Sequence, residues 1–278
     1  MDDHTALERL LTSDDPSVRY KARVGISGES VTGAALRSLQ DEMRVSERVR
    51  ALLSERQADG TILIHPYNKW RDAHWVLAQL CDLGYPSGDE SLWPLVNQAC
   101  NWSLACAPRV IDGRVRRCVS QQGYTLLYLI RLGLVDERCK ELASRLIAWQ
   151  WPDGGWNCDK RPGAKCSSVH ETLLPFRALD AYARLTGNSA AASAADRAAE
   201  FFLERRLMWR KTTGEPIRPR FLLLSYPYYY HYGLLAVLRA MLDAGRLCDP
   251  RCRDARDVLE LKRAPDGMFP LECKHYEP

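Results

Sequence analysis

The sequence feature that most constrains the fold is a turn that recurs along the chain. An acidic residue paired with glycine returns at spacings of 53, 41, 60 and 53 residues, counted from glycine to glycine. The five pairs are Asp59-Gly60, Asp112-Gly113, Asp153-Gly154, Gly214-Glu215 and Asp266-Gly267. Self-similarity of this kind is typical of proteins that repeat one supersecondary unit. The chain is therefore expected to be a repeat protein with a unit of about 50 residues.

Each repeat contains two kinds of helical pattern. The first is apolar nearly all round and starts at His74-Trp75, Tyr124-Thr125, His170-Glu171 and His231-Tyr232. The second has one charged face and covers residues 89–106, 136–150, 189–207 and 249–262. A helix that is apolar on all sides is buried, whereas a helix with one polar face lies at the surface. The alternation predicts an all-α fold, an α/α toroid (barrel) in which outer helices surround inner ones.

The predicted toroid forms one domain, residues 1–278. Residues 51–278 contain the repeated helix pairs, and residues 1–50 are interpreted as an N-terminal helical cap because their pattern differs. Within the cap, Asp14-Asp15-Pro16 is typical of a helix start. Glycines that follow three of the apolar helices, at Gly84, Gly133 and Gly245, are expected to end them in the left-handed conformation.

Composition narrows the class of protein. The chain is 46% hydrophobic and 27% charged, as in a packed globular protein, and has no apolar run long enough to span a membrane. Its acidic start, Met1-Asp2-Asp3-His4, does not resemble a signal peptide, so we expect a cytoplasmic protein. The net charge of +4 comes without a dense basic run, and nucleic acid is not expected as a partner. We expect no obligate protein partner.

Ten cysteines are present, and none forms a Cys-x-x-Cys pair. In a reducing compartment we expect most of them to pack as small hydrophobic side chains rather than to form disulfides.

One segment carries a family resemblance. Gln150-Trp151-Pro152-Asp153-Gly154-Gly155-Trp156 resembles the Gln-x-x-Asp-Gly-x-Trp repeat of squalene and oxidosqualene cyclases and of protein prenyltransferase β-subunits. Gln57-Ala58-Asp59-Gly60 and Asp266-Gly267-Met268-Phe269 are weaker copies, so the resemblance covers about residues 50–270. It implies the α/α toroid and a terpene cyclase-like or prenyltransferase-like enzyme. In this motif the glycines are expected to form a tight turn, and the glutamine and tryptophan to tie adjacent helices together.

The functional motifs of those families are absent. Where the cyclases carry an Asp-x-Asp-Asp acid, this chain has Ser168-Val169-His170-Glu171. The prenyltransferases hold zinc with an aspartate, a cysteine and a histidine at inner-helix starts. The resemblance therefore does not imply the acid mechanism of the cyclases.

Three histidines are the leading catalytic candidates. His74, His170 and His231 stand at corresponding places in the pattern, and parallel inner helices would gather them at one mouth of a central cavity. Together with Glu171 they predict acid–base chemistry on a small apolar or anionic-headed molecule. Each histidine could instead cap its helix, and Glu171 could cap backbone amides.

A zinc-dependent, transferase-like enzyme is the first alternative. Carboxylate or thiolate ligands would be needed, and the candidates are Asp72, Cys158, Asp159 and Cys166. The sequence does not decide whether the protein binds zinc or no cofactor at all.

Aromatic residues near these helix starts are the candidate substrate contacts: Trp75, Tyr124, Tyr228, Tyr229, Tyr230 and Tyr232. Aromatic faces can stabilise a cationic group, although loop packing explains them equally well. Basic residues of the same loops, including Lys165 and Arg218, are candidates for attracting an anion. The second alternative is a catalytically silent binding scaffold, because repeat proteins commonly serve as interaction surfaces.

Overall fold

The structure is a computed structural model that describes residues 3–30, 33–66, 68–105 and 107–275, with no side-chain description for Asp3 and His4. Helices make up 54% of the chain, and the described residues contain a single sheet of two strands. The all-α prediction is confirmed. No helix in the described ranges is both long enough and apolar enough to cross a membrane. Met1 and Asp2, and Cys106 at the end of one predicted helix, lie outside the described residues.

The chain separates into two compact units. The first comprises the described residues of Met1–Trp102, Arg131–Val135 and Pro265–Met268. The second comprises those of Ser103–Ile130, Asp136–Ala264 and Phe269–Pro278.

The first unit contains five helices and most of a sixth. They are α1 (Asp3–Leu11), α2 (Pro16–Gly25), α3 (Ala34–Arg44), α4 (Glu47–Leu53), α5 (Ala73–Leu83) and α6 (Trp93–Ala105). The predicted helix start in the N-terminal segment is confirmed, because the Asp15 carboxylate accepts a hydrogen bond from Ser17 N at 2.9 Å and Pro16 is the first helical residue.

The second unit contains the hairpin and the remaining helices. The strands β1 (Val110–Ile111) and β2 (Arg114–Val115) pair antiparallel, with Val110 opposite Val115 and Ile111 opposite Arg114. The helices are α7 (Val119–Arg131), α8 (Glu137–Ala148), α9 (Val169–Thr186), α10 (Ser189–Leu203), α11 (Leu234–Asp243) and α12 (Arg253–Glu260).

The helix starts and stops follow local chemistry. Asp72, Asp136 and Asn188 precede α5, α8 and α10, and each side chain accepts a hydrogen bond from a backbone N–H of the first turn. Gly84, which ends α5, has φ +81°, so the predicted left-handed stop is confirmed there.

Burial alternates along the chain as the pattern predicts. Helix α5 buries nine of its eleven residues, and α9 buries eleven of eighteen. Helix α8 buries only one face, at Cys139, Leu142, Ala143 and Leu146.

Two predicted helix starts are displaced. Helix α7 begins at Val119, five residues before Tyr124, because its polar first turn is buried rather than exposed; Gln122 donates to Ser103 O at 3.0 Å. Helix α11 begins at Leu234, so His231 lies three residues before it.

Fewer cysteines are buried than the sequence predicts. Among the nine described cysteines, four are buried: Cys81, Cys100, Cys139 and Cys252.

Helices α7 and α9 of the second unit approach each other closely at Gly123. A side-chain carbon placed on Gly123 would lie 2.5 Å from Pro175 N and 2.8 Å from Leu174 C. Pro175 carries no N–H, so the glycine faces a backbone nitrogen that needs no hydrogen bond. The two helices are therefore in backbone contact at this point, and their first turns meet where Ser120 N donates to Glu171.

Candidate functional site

The repeat motif is a structural clamp around the start of α9. Gln150 Nε2 donates to Gly154 O and to Ala194 O of α10, each at 2.8 Å. Trp156 Nε1 donates to Leu146 O of α8 at 2.9 Å. Trp156 N also donates to Thr172 Oγ1 of α9 at 3.2 Å, so the glutamine and tryptophan tie three helices together, as expected from the sequence.

The clamp also fixes the residues directly before α9. Asp153 accepts hydrogen bonds from both the backbone N–H and the hydroxyl of Ser167, and Ser168 N donates to Trp156 O at 2.8 Å. Gly154 is required here, since it has φ +88° and a side-chain carbon would lie 2.3 Å from Arg197 O. The first turn of α9, with His170 and Glu171, is thereby held in one position.

Arg114 of β2 and Arg116, which directly follows that strand, hold the loop that leads into α9. Arg114 Nη1 donates to Lys165 O, and Arg116 Nη1 donates to Ala164 O, each at 2.8 Å. Arg116 also lies over the ring of Trp151, 4.4 Å from its centroid. Both arginines therefore stabilise the backbone of the loop.

His170 and Glu171 are consecutive but have different neighbours, because successive side chains on a helix point about 100° apart. The His170 ring packs against Phe221 at 5.2 Å, Tyr232 at 6.3 Å and His231 at 6.4 Å between centroids. The structure thus brings together two of the three predicted histidines. His231 in turn stacks on His275 at 3.9 Å.

His170 also lines a cavity of about 620 Å³ within the second unit. Five basic side chains and two acidic ones line it: Lys165, Arg205, Arg210, Lys211, Arg218, Asp153 and Glu204. Val169, Ile217 and Phe221 add an apolar wall. We call this space the basic cavity. Its volume lies within the range of about 300 to 1,000 Å³ that small-molecule sites occupy.

Electrostatics keep the His170 imidazole neutral. Burial, the positive charge of Arg218 and the nearby His275 together lower the pKa of His170 to about 4. Near pH 7 the ring therefore accepts or donates hydrogen bonds without carrying charge. An anion placed beside Arg218 would reverse part of that effect, because it would stabilise the protonated ring.

Glu171 faces a different group of residues, in which sequence reasoning missed one member. Its Oε2 atom accepts a hydrogen bond from Ser120 N, in the first turn of α7, at 2.9 Å. One side-chain atom from each of Cys118, Cys158 and Glu171 lies within 4.8 Å of the other two. We call these three residues the thiol–carboxylate cluster. Sequence reasoning missed Cys118 because this residue lies 40 positions from Cys158 in the chain, and their contact depends on how α7 and α9 pack.

Burial and mutual contact set the protonation of the thiol–carboxylate cluster. Burial raises the pKa of Glu171, against hydrogen bonds from Ser120 and the two thiols. A hydrogen bond from Cys158 lowers the pKa of Cys118, and the same contact raises the pKa of Cys158. The cluster therefore holds negative charge at one sulfur more readily than at both.

The other candidate metal ligands are placed elsewhere. Asp159 forms an ion pair with Arg161, and Cys166 is exposed at the wall of the basic cavity. Neither belongs to the thiol–carboxylate cluster; of the four predicted ligands only Cys158 does. Asp72 is buried in the first unit, where it caps α5 by accepting from His74 N at 2.8 Å.

His74 and Trp75 belong to the first unit. The His74 ring is 1% exposed and lies 5.1 Å from Trp75 and 5.1 Å from Trp102 between ring centroids. Burial lowers its pKa to about 3. His74 is thus a core residue of its unit.

The predicted substrate-binding tyrosines pack among other side chains. Tyr232 stacks on Phe202 at 5.6 Å and donates from its hydroxyl to Leu207 O. Tyr124 contacts Tyr128 at 6.1 Å, and Tyr230 contacts His231 at 4.1 Å. The described residues that line the basic cavity include none of the six predicted aromatic contacts, which are Trp75, Tyr124, Tyr228, Tyr229, Tyr230 and Tyr232.

A buried ion pair was also missed. Arg177, in the middle of α9, bonds Asp243 of α11 at 3.1 Å, and its Nε atom is buried without a hydrogen-bond partner. The two residues are 66 positions apart, so no local pattern pairs them.

Comparison of the chain with protein-family models, with curated proteins and with solved structures found no match.

Proposed function

We propose that the protein is an enzyme that acts on a small molecule with an anionic head and an apolar body, bound in the basic cavity. The observation that carries this proposal is the position of His170, a neutral imidazole in a cavity of about 620 Å³ lined by five basic side chains. The cations suit the head, and Val169, Ile217 and Phe221 suit the body.

His170 is the acid–base group in this proposal. In the free protein the ring is uncharged near pH 7, so it is able to take a proton from a bound molecule. The anionic head, bound next to Arg218, raises the pKa of the ring and makes it a stronger base. Glu171 does not share this role, because its side chain faces Ser120 and the two thiols.

The cavity favours an enzyme over a binding scaffold. A scaffold for proteins needs no deep recess, whereas the basic cavity, which is open to solvent on one side, leaves room for a small ligand. The alternating buried and half-exposed helices support our further expectation of an α/α toroid capped by residues 1–50. The resemblance to terpene cyclases and prenyltransferases remains part of this proposal through the clamp motif at Gln150–Trp156.

Calorimetry with octyl phosphate tests the proposal, since this probe combines an anionic head with an apolar chain. We expect binding that weakens as salt increases, with weaker binding of octanol and of inorganic phosphate alone. Arg218→Gln should weaken octyl phosphate binding by about fivefold, because one charge-assisted contact is lost. The matched control is Arg256→Gln, an exposed arginine of α12 that does not line the cavity. Equal affinities for octyl phosphate and octanol would contradict the proposal.

A further inference from the structure

The thiol–carboxylate cluster joins three separate segments of the second unit. Cys118 directly precedes α7, Cys158 lies in the loop between α8 and α9, and Glu171 is the third residue of α9. Glu171 is buried, and both cysteines are half-buried. Sequence-distant groups of this kind meet only because the clamp and the Gly123 contact fix the two helices.

The chemistry of these three side chains matches one class of ligand. Thiolate sulfur combined with a carboxylate oxygen is a donor set for zinc and for similar thiolate-preferring divalent metals. Ligand atoms around a tetrahedral zinc ion lie roughly 3.3 to 3.8 Å apart. The three donor atoms already lie within 4.8 Å of one another, so side-chain movements on the order of 1 Å would bring them to that spacing.

The residues around the thiol–carboxylate cluster favour the binding of a cation. Ser120 N holds one carboxylate oxygen of Glu171, which orients the group and leaves its second oxygen for a metal. Two thiolates and one carboxylate carry three negative charges, which a divalent ion reduces to one. Arg117 and Lys160 act on Cys118 electrostatically and offset the remaining charge.

We propose that Cys118, Cys158 and Glu171 form a binding site for one thiolate-preferring divalent metal ion, such as Zn²⁺. Three protein ligands leave a tetrahedral ion one open position, as in zinc sites that bind water or substrate. Both thiols lose their protons when the metal binds, so binding releases protons and weakens as pH falls. The site is independent of the proposed function, because its ligands differ from the side chains that line the basic cavity.

Titration of the chemically reduced, metal-free protein with Co²⁺ tests this proposal. We expect one ion per chain, with thiolate-to-cobalt charge-transfer absorption that Zn²⁺ displaces. Cys118→Ser and Cys158→Ser should each remove most of that absorption. Glu171→Gln should weaken binding by about tenfold while still accepting the hydrogen bond from Ser120 N. The control is Cys248→Ser, which changes an exposed cysteine outside the cluster.

A second readout separates metal loss from misfolding. Zn²⁺ should raise the melting temperature of the wild-type protein and of Cys248→Ser, and should not raise that of Cys158→Ser, because only a competent site stabilises the folded state. Absence of the charge-transfer band in the fully reduced wild-type protein would overturn the proposal. Equal cobalt spectra for the wild type and both cluster variants would overturn it too.

Discussion

At the scale of single residues, the histidines at the starts of α5 and α9 have different environments. His74 is enclosed by Trp75 and Trp102, whereas His170 lines a cavity wall beside Arg218. The sequence places both as the second residue of an apolar helix and so treats them alike. It could not distinguish them, because the difference comes from residues that are distant in the chain and become neighbours only on folding.

The pH dependence of stability gives a test of the His74 environment. Its pKa is about 3 in the folded protein against an ordinary 6.5, so below pH 6.5 the unfolded chain takes up a proton that the folded protein does not. This contribution lowers stability by about 1.4 kcal/mol per pH unit as pH falls. Asp72 has the opposite effect on stability. Burial raises its pKa from 3.8 to about 6, so between these pH values the folded protein takes up a proton that the unfolded chain does not, and stability rises as pH falls.

The two contributions offset each other in the wild-type protein between about pH 6 and pH 4. In His74→Gln only the Asp72 contribution remains. The free energy of unfolding of this variant, relative to wild type, should therefore rise by about 1.4 kcal/mol per unit as pH falls from 6 to 4. Urea denaturation at several pH values measures it. Asn68→Gln, a change at an exposed and uncharged loop residue, is the control; a flat difference for His74→Gln would contradict the buried assignment.

At the scale of the elements, the periodic pattern of apolar residues predicts many of the helices. Apolar runs predict the buried helices, and the three predicted stops, Gly84, Gly133 and Gly245, all have positive φ. The pattern does not predict the start of α7, because Ser120 and Gln122 in its first turn are polar yet buried. The pairing of α7 with α9 also escaped it, since a glycine opposite a helix-interior proline is a packing relation between distant segments.

Because α7 and α9 are in close contact at Gly123, a single methyl group added there should destabilise the folded protein. Gly123→Ala places a carbon 2.5 Å from Pro175 N, which is backbone and cannot rotate away. We expect the folded state to lose about 1 to 3 kcal/mol, in the range of overpacked cores. The melting temperature measures this loss, and cobalt affinity at the thiol–carboxylate cluster should fall with it.

Gly163→Ala is the matched control for that substitution. Gly163 lies in the loop before α9 and has no atom within 4 Å of an added side-chain carbon. We expect its stability to remain within about 0.5 kcal/mol of wild type. A melting temperature for Gly123→Ala equal to that of Gly163→Ala would show that the close contact between α7 and α9 is not a constraint.

At the scale of the whole molecule, the chain is an all-α protein whose second unit contains both the basic cavity and the thiol–carboxylate cluster. Sequence reasoning selected His170, Glu171 and Cys158 from this unit, and it missed Cys118 and the Arg177–Asp243 pair. It also grouped His170 with Glu171, which the helix separates. The repeats predict which helices are buried, whereas the basic cavity depends on the segments between helices, such as the short 3-10 helix Pro219–Leu222 that contributes Phe221 to its wall.

In our proposal an anionic head binds beside His170 in the basic cavity, and the pKa of His170 tests this most directly. Proton NMR of the imidazole, assigned by comparison with His170→Gln, measures the pKa of this residue with and without saturating octyl phosphate. The account predicts a pKa of about 4 in the free protein and a rise of at least about one unit in the complex, because the bound anion stabilises the protonated ring. An unchanged His170 pKa in a complex that calorimetry shows to be saturated would contradict it.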